Sequence, residues 1–245
     1  MSIQTVHSDI NHINSDFNSY SQPVILESLS VQKTFLIKTY LHLLLGVCLF
    51  GGALYGIVTT PVLIAFAFKL WSLPMASIVL TCLLIGSSVA SSWLANNIVN
   101  KTLHYVGLVG YAVVEAIVTA PLVFMFIRSN GMPEFINIIG MTIAIFGCMT
   151  GTVFALKPDL GYLGKFLTFA SLSAIIMVVV SAIFGLSLGV WFSFSMVVLA
   201  CGYILYETSQ MTKYYNKSQY VACALSLLAS IIMLFWYLLR LFSRR

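Results

Sequence analysis

Long apolar stretches separated by short polar segments dominate the chain. No Asp, Glu, Lys or Arg occurs between residues 39 and 68, 70 and 100, 135 and 156, or 218 and 239, and Glu115 is the single charge between 102 and 127. A helix needs about 20 predominantly apolar residues to cross the hydrocarbon core of a bilayer. Each of these five stretches therefore predicts one membrane-spanning helix.

A sixth charge-free stretch, residues 166–206, is about twice as long as one span requires. The sequence GLSLG at Gly185–Gly189 is typical of a break, so we divide the stretch there into two helices. Continuous rather than alternating apolarity favours helices over the strands of a membrane barrel. The prediction is an all-α integral membrane protein with a seven-helix bundle, whose spans lie at about 35–58, 72–95, 103–127, 135–156, 163–184, 188–207 and 219–241.

The first 32 residues differ, because they are rich in Ser, Asn and Gln and have no sustained hydrophobic period. Such a segment cannot bury enough apolar surface to offset the entropy lost on folding. We therefore predict a disordered N-terminal tail over residues 1–32, with a short interfacial helix around 24–30. The seven-helix transmembrane domain follows over residues 33–245.

Composition supports the membrane assignment, because hydrophobic residues make up 60% of the chain and charged residues only 8%. Soluble domains have about 45–50% apolar and about 25% charged residues, so a soluble enzyme is excluded. The net charge of +5 indicates positive cytoplasmic loops rather than a nucleic-acid partner. Most lysines fall on the predicted side of the N-terminus, namely Lys33, Lys38, Lys101, Lys157, Lys165, Lys213 and Lys217. We predict a cytoplasmic N-terminus and, after seven spans, an external C-terminus.

Motifs of known chemistry are missing from the sequence. It has no nucleophile elbow, zinc motif, glycine-rich phosphate loop or intramembrane-protease signature. We therefore predict a protein that is not an enzyme and that binds no cofactor or metal.

Glycines recur at four-residue spacing in three places, Gly52/Gly56, Gly147/Gly151 and Gly185/Gly189. Such pairs let helix backbones approach closely in lipid. The spacing predicts close packing, either within the bundle or between two copies of the chain.

Two acidic residues inside predicted spans are candidate functional residues. Glu115 lies near the middle of the third span, where a charge costs about 2.5–3.5 kcal/mol on insertion scales. Its carboxyl group should face the bundle interior or a water-filled cavity, either as a neutral group bonded to a neighbouring helix or as a proton- or ion-linked group. Glu207 ends the sixth span, where it can form a salt bridge with Lys213 or Lys217 or serve a functional role.

Three segments carry a resemblance to a known family. Residues 202–209 read GYILYETS, residues 220–235 read YVACALSLLASIIMLF, and residues 157–164 read KPDLGYLG. They resemble the signature of the Bax inhibitor family, the transmembrane Bax-inhibitor-motif proteins. That signature is roughly G-x-x-L-Y/F-D/E-T, a short polar loop and Y-x-x-A-x-x-S-L-Y, with an Asp-containing turn before the fifth span.

The resemblance implies a seven-helix fold with the last helix central. Many members carry two acidic residues, in the sixth and seventh helices, which are thought to share a proton and gate a pH-dependent calcium leak. Glu207 matches the first position, Ser230 occupies the second, and Asp159 matches the acidic turn. An acid and a hydroxyl cannot share charge as two neighbouring carboxylates do. This combination resembles the bacterial YccA-like branch of the family.

That branch implies a multi-pass protein of the bacterial inner membrane that modulates membrane-protein quality control through the FtsH membrane protease. A polar N-terminal tail agrees, because such a protease needs a disordered end to begin pulling. The alternative is a pH-sensitive calcium or cation leak channel working through Glu207 and Glu115, and the third candidate is a small-solute transporter. The expected partners are membrane lipid, an FtsH-type protease complex, and calcium ions or protons. The candidate ion- or proton-linked residues are Glu207, Ser230, Glu115 and Asp159.

Overall fold

The computed structural model describes residues 23–73, 75–95 and 101–243. In these ranges the chain forms eight α-helices, preceded by a 3-10 turn at Val24–Leu26. We number the helices in chain order as α1 Leu29–Thr59, α2 Pro61–Trp71, α3 Ala76–Ala95, α4 Lys101–Asn130, α5 Met132–Leu156, α6 Leu163–Phe184, α7 Val190–Lys213 and α8 Tyr220–Phe242.

Each predicted span coincides with a helix, which confirms an all-α membrane protein. Six helices, α1 and α4 to α8, are long and apolar enough to cross a bilayer, and α2 and α3 are shorter apolar helices. Helix α3 has 20 residues, so its length of about 30 Å matches the thickness of the hydrocarbon core. The architecture is therefore consistent with the predicted count of seven spans.

Helix α2 was not predicted, because its residues fall between two expected spans. Pro61 occupies its first turn, where the missing N–H is not needed. The helix packs along α4: the rings of Phe68 and Phe124 meet edge to face at 5.7 Å, and the Trp71 indole N–H donates to the Val118 carbonyl oxygen at 3.1 Å. With 11 residues, α2 is too short to cross the bilayer and instead covers part of α4.

Helix α8 occupies the centre of the bundle. It packs against α1, α3, α4, α5 and α7, and 67% of its apolar segment is buried, compared with 17% for α6. It carries no charge before Arg240, and apolar residues on every side are typical of a helix surrounded by others. The central last helix that the resemblance implied is therefore confirmed.

Contacts between distant segments define one end of the bundle. The Val24 N–H donates to the Tyr215 carbonyl oxygen at 2.9 Å, and Lys213 forms an ion pair with Asp159 at 3.5 Å. Tyr105, near the start of α4, forms a hydrogen bond at 3.1 Å with a histidine in the first half of α1. These contacts bring together the first half of α1, the start of α4, the α5–α6 loop and the α7–α8 loop. We call this end the N-terminal face and the other end the opposite face.

Residues 23–32 depart from the prediction of a disordered tail. They form the 3-10 turn, in place of the expected interfacial helix, and the start of α1 at Leu29. The Glu27 carboxylate forms an ion pair with Lys217 at 3.2 Å. The polar composition of this segment indicated disorder, but the segment is held by a contact with the α7–α8 loop. The predicted tail over residues 1–22 lies outside the described residues.

The paired glycines do not form the close contacts that their spacing predicted within the bundle. A Cβ atom added at any of the six would meet nothing within 4 Å, so this prediction is wrong, whereas packing between two copies stays a prediction. Four of the six lie on helix sides that no neighbour approaches, and two lie in the α6–α7 loop. Close approaches occur instead at four other glycines, and at one of these, Gly107, an added Cβ would lie 2.9 Å from the backbone oxygen of Ser91 in α3.

Gly107→Ala should lower the free energy of unfolding by about 1–3 kcal/mol, because the added methyl group forces α4 away from the backbone of α3. Gly110→Ala in the same helix is the matched control, since a Cβ there meets nothing within 4 Å and alanine favours the helix. Thermal unfolding in detergent measures both variants. Equal midpoints would contradict the close α3–α4 contact.

Candidate functional site

Glu207 lies in the last two turns of α7, at the N-terminal face. Its carboxylate accepts a hydrogen bond from the Tyr215 hydroxyl of the α7–α8 loop. The lysines that could have paired with Glu207, Lys213 and Lys217, each form an ion pair with another carboxylate, at 3.5 and 3.2 Å. Glu207 is therefore paired with a tyrosine hydroxyl and not with either of the lysines that the sequence suggested.

Tyr215 connects Glu207 to the central helix. Its phenolic oxygen accepts a hydrogen bond from the Ser226 hydroxyl of α8, and Cys223 of α8 lies close to the Glu207 carboxyl group. Burial raises the pKa of the Tyr215 hydroxyl, and the neighbouring Glu207 charge raises it further. The hydroxyl therefore stays protonated at physiological pH and remains a donor. Glu207, Tyr215 and Ser226 join the end of α7 to α8, and we call these three residues the Glu207 cluster.

Ser230 lies one turn beyond Ser226 and is buried. Its hydroxyl donates to the Ser226 carbonyl oxygen at 3.2 Å, so this hydrogen bond stays inside α8. In the part of the chain that the structure describes, the groups linked to Glu207 by hydrogen bonds are the hydroxyls of Tyr215 and Ser226. Hydroxyls donate to a carboxylate, but they do not share a titrating proton with it as a second carboxylate does.

Asp159 lies in the α5–α6 loop, and its side chain is 58% exposed. One carboxylate oxygen accepts the Gly161 N–H at 3.1 Å, and the other lies 3.5 Å from Lys213 Nζ and 3.3 Å from the Tyr214 hydroxyl. The Gly161 hydrogen bond is the main cause that lowers the Asp159 pKa, and the Lys213 charge lowers it further. The ionised Asp159 carboxylate therefore stabilises the fold at a pH above the usual carboxyl pKa, and this stabilisation is lost as the pH falls through the lowered pKa. Asp159 is thus a charged anchor of the loop at neutral pH.

Ser209 holds the Asp159 loop against α7. Its hydroxyl donates to the Pro158 carbonyl oxygen at 2.9 Å and accepts the Leu160 N–H at 3.3 Å. Ser209 is fully buried, so these two bonds satisfy backbone groups on both sides of Asp159. The loop is therefore fixed to the same end of α7 as Glu207, but through separate contacts.

Glu115 faces the interior of the bundle from the middle of α4 and is 6% exposed. The Tyr111 hydroxyl, one turn earlier, donates to its carboxyl group. Thr119, one turn later, has a buried hydroxyl to which the described residues offer no partner. Glu115 lies about 21 Å along α4 from the N-terminal face, whereas Glu207 lies about 9 Å from the end of α7. The two acids therefore occupy different depths.

The tyrosine partners of both acids were missed from the sequence. Tyr111 precedes Glu115 by four residues, a spacing that brings two side chains together on one helix. This partner could therefore have been predicted from the sequence. Tyr215 follows Glu207 by eight residues, beyond the end of a helix, and no periodicity links the two. Ser226 precedes the expected site residue Ser230 by one turn, and only the position of Tyr215 gives it a role.

The sequence profile described as "Inhibitor of apoptosis-promoting Bax1" matches residues 32–245. The chain belongs to the Bax inhibitor family. No curated protein gives a significant match to it. The matched range contains Glu115, Asp159, Glu207 and Ser230, so all four candidates lie in the region shared with this family.

As a member of the Bax inhibitor family, the chain is a multi-pass membrane protein with acids at two levels of its bundle. Near the N-terminal face, Glu207 is bonded to hydroxyl groups from the loop and the central helix. At mid-depth, Glu115 is bonded to a tyrosine of its own helix. Each acid therefore has a hydroxyl group as its partner.

Tyr215→Phe should lower the free energy of unfolding by about 1–3 kcal/mol, because it leaves the Glu207 carboxyl group without its donor. Tyr214→Phe is the matched control, since that side chain is exposed and bonds to the exposed Asp159. Thermal unfolding of both variants checks the prediction. A midpoint that falls equally in both variants would show that Tyr215 does not hold Glu207.

Glu115→Gln should leave stability nearly unchanged, because the amide keeps an acceptor for Tyr111. Glu115→Leu should cost about 1–3 kcal/mol, since the buried Tyr111 hydroxyl then lacks its acceptor. Unfolding midpoints of the two variants measure the difference. A Gln variant with normal stability and lost pH-dependent ion flux would instead show a proton-linked role.

Proposed function

We propose that this protein modulates membrane-protein quality control in a bacterial inner membrane by engaging an FtsH-type membrane protease. The observation that carries the proposal is the docked N-terminal segment. Val24 and Glu27 hold this segment on the α7–α8 loop, so the chain enters the bundle at a fixed point on the N-terminal face. A protease bound at this face can therefore take hold of the N-terminal end.

The charge distribution supports a cytoplasmic N-terminal face. Six lysines share this end of the bundle. They lie in the first three turns of α1, in the α5–α6 loop, at the start of α6, at the end of α7 and in the α7–α8 loop, namely Lys33, Lys38, Lys157, Lys165, Lys213 and Lys217. Short loops rich in lysine remain on the cytoplasmic side of a membrane. The ATP-driven domains of an FtsH-type protease act from that side, so orientation and proposed partner agree.

The Glu207 cluster supports a regulator over an ion leak. Two carboxylates that lie close together make a proton switch near neutral pH, because the charge of one disfavours the charge of the other. Glu207 instead has the Tyr215 hydroxyl as its partner, and Ser230 stands where a second acid would lie. These groups hold α7 to α8 and offer no pair that shares a proton.

Deletion of residues 1–22 tests the proposal, because it removes the proposed handle and keeps the docked segment. The truncated protein should keep its unfolding midpoint, persist longer in cells that contain the protease, and no longer co-purify with it. A variant with residues 1–22 in scrambled order is the matched control and should behave as the wild type if length and polarity suffice. Unchanged lifetime and co-purification after deletion would contradict the proposal.

Calcium flux into vesicles separates the proposed regulator from the leak channel. Reconstituted wild-type protein should give no flux that changes between two pH values on either side of neutrality. A pH-dependent flux that Glu207→Gln abolishes would assign the protein to the channel class instead.

A further inference from the structure

A cleft separates α1 from α5 in the half of the bundle near the opposite face. Close to the N-terminal face the two helices meet, where the rings of Tyr40 and Phe154 lie 6.1 Å apart. Further along they enclose a cavity of about 450 Å³, bounded on the α1 side by residues from Val47 to Thr59. This volume is in the range of about 300–1,000 Å³ that is typical of ligand sites.

The floor of the cleft belongs to the central helix and to α4. Phe235 of α8 contacts the ring of Phe50 on one wall at 6.2 Å and the ring of Phe135 on the other at 6.1 Å, both edge to face. Ile232 and Phe235 on the floor are only 3% and 7% exposed. The floor is therefore set deep between the walls and is braced by aromatic contacts on both sides.

The cleft opens sideways, toward the lipid. Its rim residues Tyr55 and Ile143 are 73% and 65% exposed and lie on membrane-spanning helices. Its threonine hydroxyls are already used, because Thr59 donates to the Tyr55 carbonyl oxygen and Thr142 donates to the Ile138 carbonyl oxygen, each at 2.8 Å. Water would find few partners in such a site, whereas hydrocarbon matches it.

The length of the cleft and a cation near it indicate which kind of hydrocarbon molecule would fit. The α1 wall from Val47 to Thr59 is about 18 Å long, close to the thickness of one leaflet of the hydrocarbon core, about 15 Å. Arg128 follows the lining residue Ile127 in the last turn of α4, where its guanidinium lies over the Phe124 ring at 5.4 Å. Guanidinium groups match the geometry of phosphate, so Arg128, which directly follows a lining residue but does not itself line the cleft, offers a cation to a lipid phosphate at this membrane surface.

We propose that the cleft between α1 and α5 is a binding site for one phospholipid, with an acyl chain lying between the two walls and the phosphate near Arg128. The lipid comes from the leaflet at the opposite face. It completes the packing that α1 and α5 leave open and holds the two walls apart at the distance that Phe235 sets.

A phospholipid with a diazirine in its acyl chain tests the site in vesicles of phosphatidylethanolamine and phosphatidylglycerol that contain the full-length protein. After illumination, mass spectrometry locates the modified residues. We expect labelling of the floor at Ile232 or Phe235, which bulk lipid does not reach. Labelling confined to exposed rim residues such as Tyr55 and Ile143, or a floor occupied by a second copy of the chain, would overturn the proposal.

Two glycines of α1 provide matched variants. Gly51 lines the cleft, and Gly52 does not, but a Cβ added at either would meet nothing within 4 Å. Gly51→Leu should fill the cleft and reduce floor labelling several-fold, whereas Gly52→Leu should leave it unchanged. Equal labelling of the floor in both variants would overturn the proposal.

A second pair on α5 keeps the test decisive if Gly51→Leu does not fold. Ile139→Trp enlarges a residue that lines the cleft, and Met141→Trp enlarges one of similar exposure that does not line it. Floor labelling should fall only in the Ile139 variant. Both variants can be compared with unfolding midpoints, and a similar loss of labelling in both would contradict a defined site.

Discussion

Helix α8 can remain at the centre because almost nothing on it requires water. Lipid offers no hydrogen bonds, so a polar group inside the bundle is costly unless it finds a partner in the protein. The hydroxyls of Thr39, Thr142 and Thr208, on the helices around α8, each donate to the carbonyl oxygen four residues earlier. Ser230 of α8 does the same. This local bonding leaves apolar surfaces that pack around α8, and the positions of the other helices follow from that packing.

In the Glu207 cluster, contacts between elements meet this rule. Glu207 lies in the last two turns of α7, Tyr215 lies in the loop and Ser226 belongs to α8. The cluster therefore secures the turn between α7 and the central helix. Placing the carboxyl group there couples its surroundings to the central helix.

Apolar length predicted most of the fold, because a charge-free run of about 20 residues has few alternatives to a spanning helix. The break at Gly185–Gly189 was predictable for the same reason, since 166–206 is too long for one span. Helix α2 was not predictable from length, as its position depends on the contacts of Phe68 and Trp71 with α4. The Gly52/Gly56 spacing misled because a small residue permits a close approach without specifying which side of a helix a neighbour will occupy.

The site was predictable only in part. The acids Glu115 and Glu207 were evident because charges inside apolar stretches are costly. Their partners depended on tertiary structure: Tyr215 reaches Glu207 from a loop, and the lysines nearest in sequence pair with Glu27 and Asp159. Composition also misjudged residues 23–32, because it cannot register a docking contact that spans about 190 positions of the chain, as the bond between Glu27 and Lys217 does.

The docked N-terminal segment has a mechanical consequence. A force applied to the N-terminus reaches the Val24–Tyr215 hydrogen bond and the Glu27–Lys217 ion pair before it reaches the body of α1. Because both contacts end on the loop that begins α8, the load passes to the centre of the bundle instead of peeling away a peripheral helix. Pulling from this end must therefore break these two contacts before α1 itself bears the load.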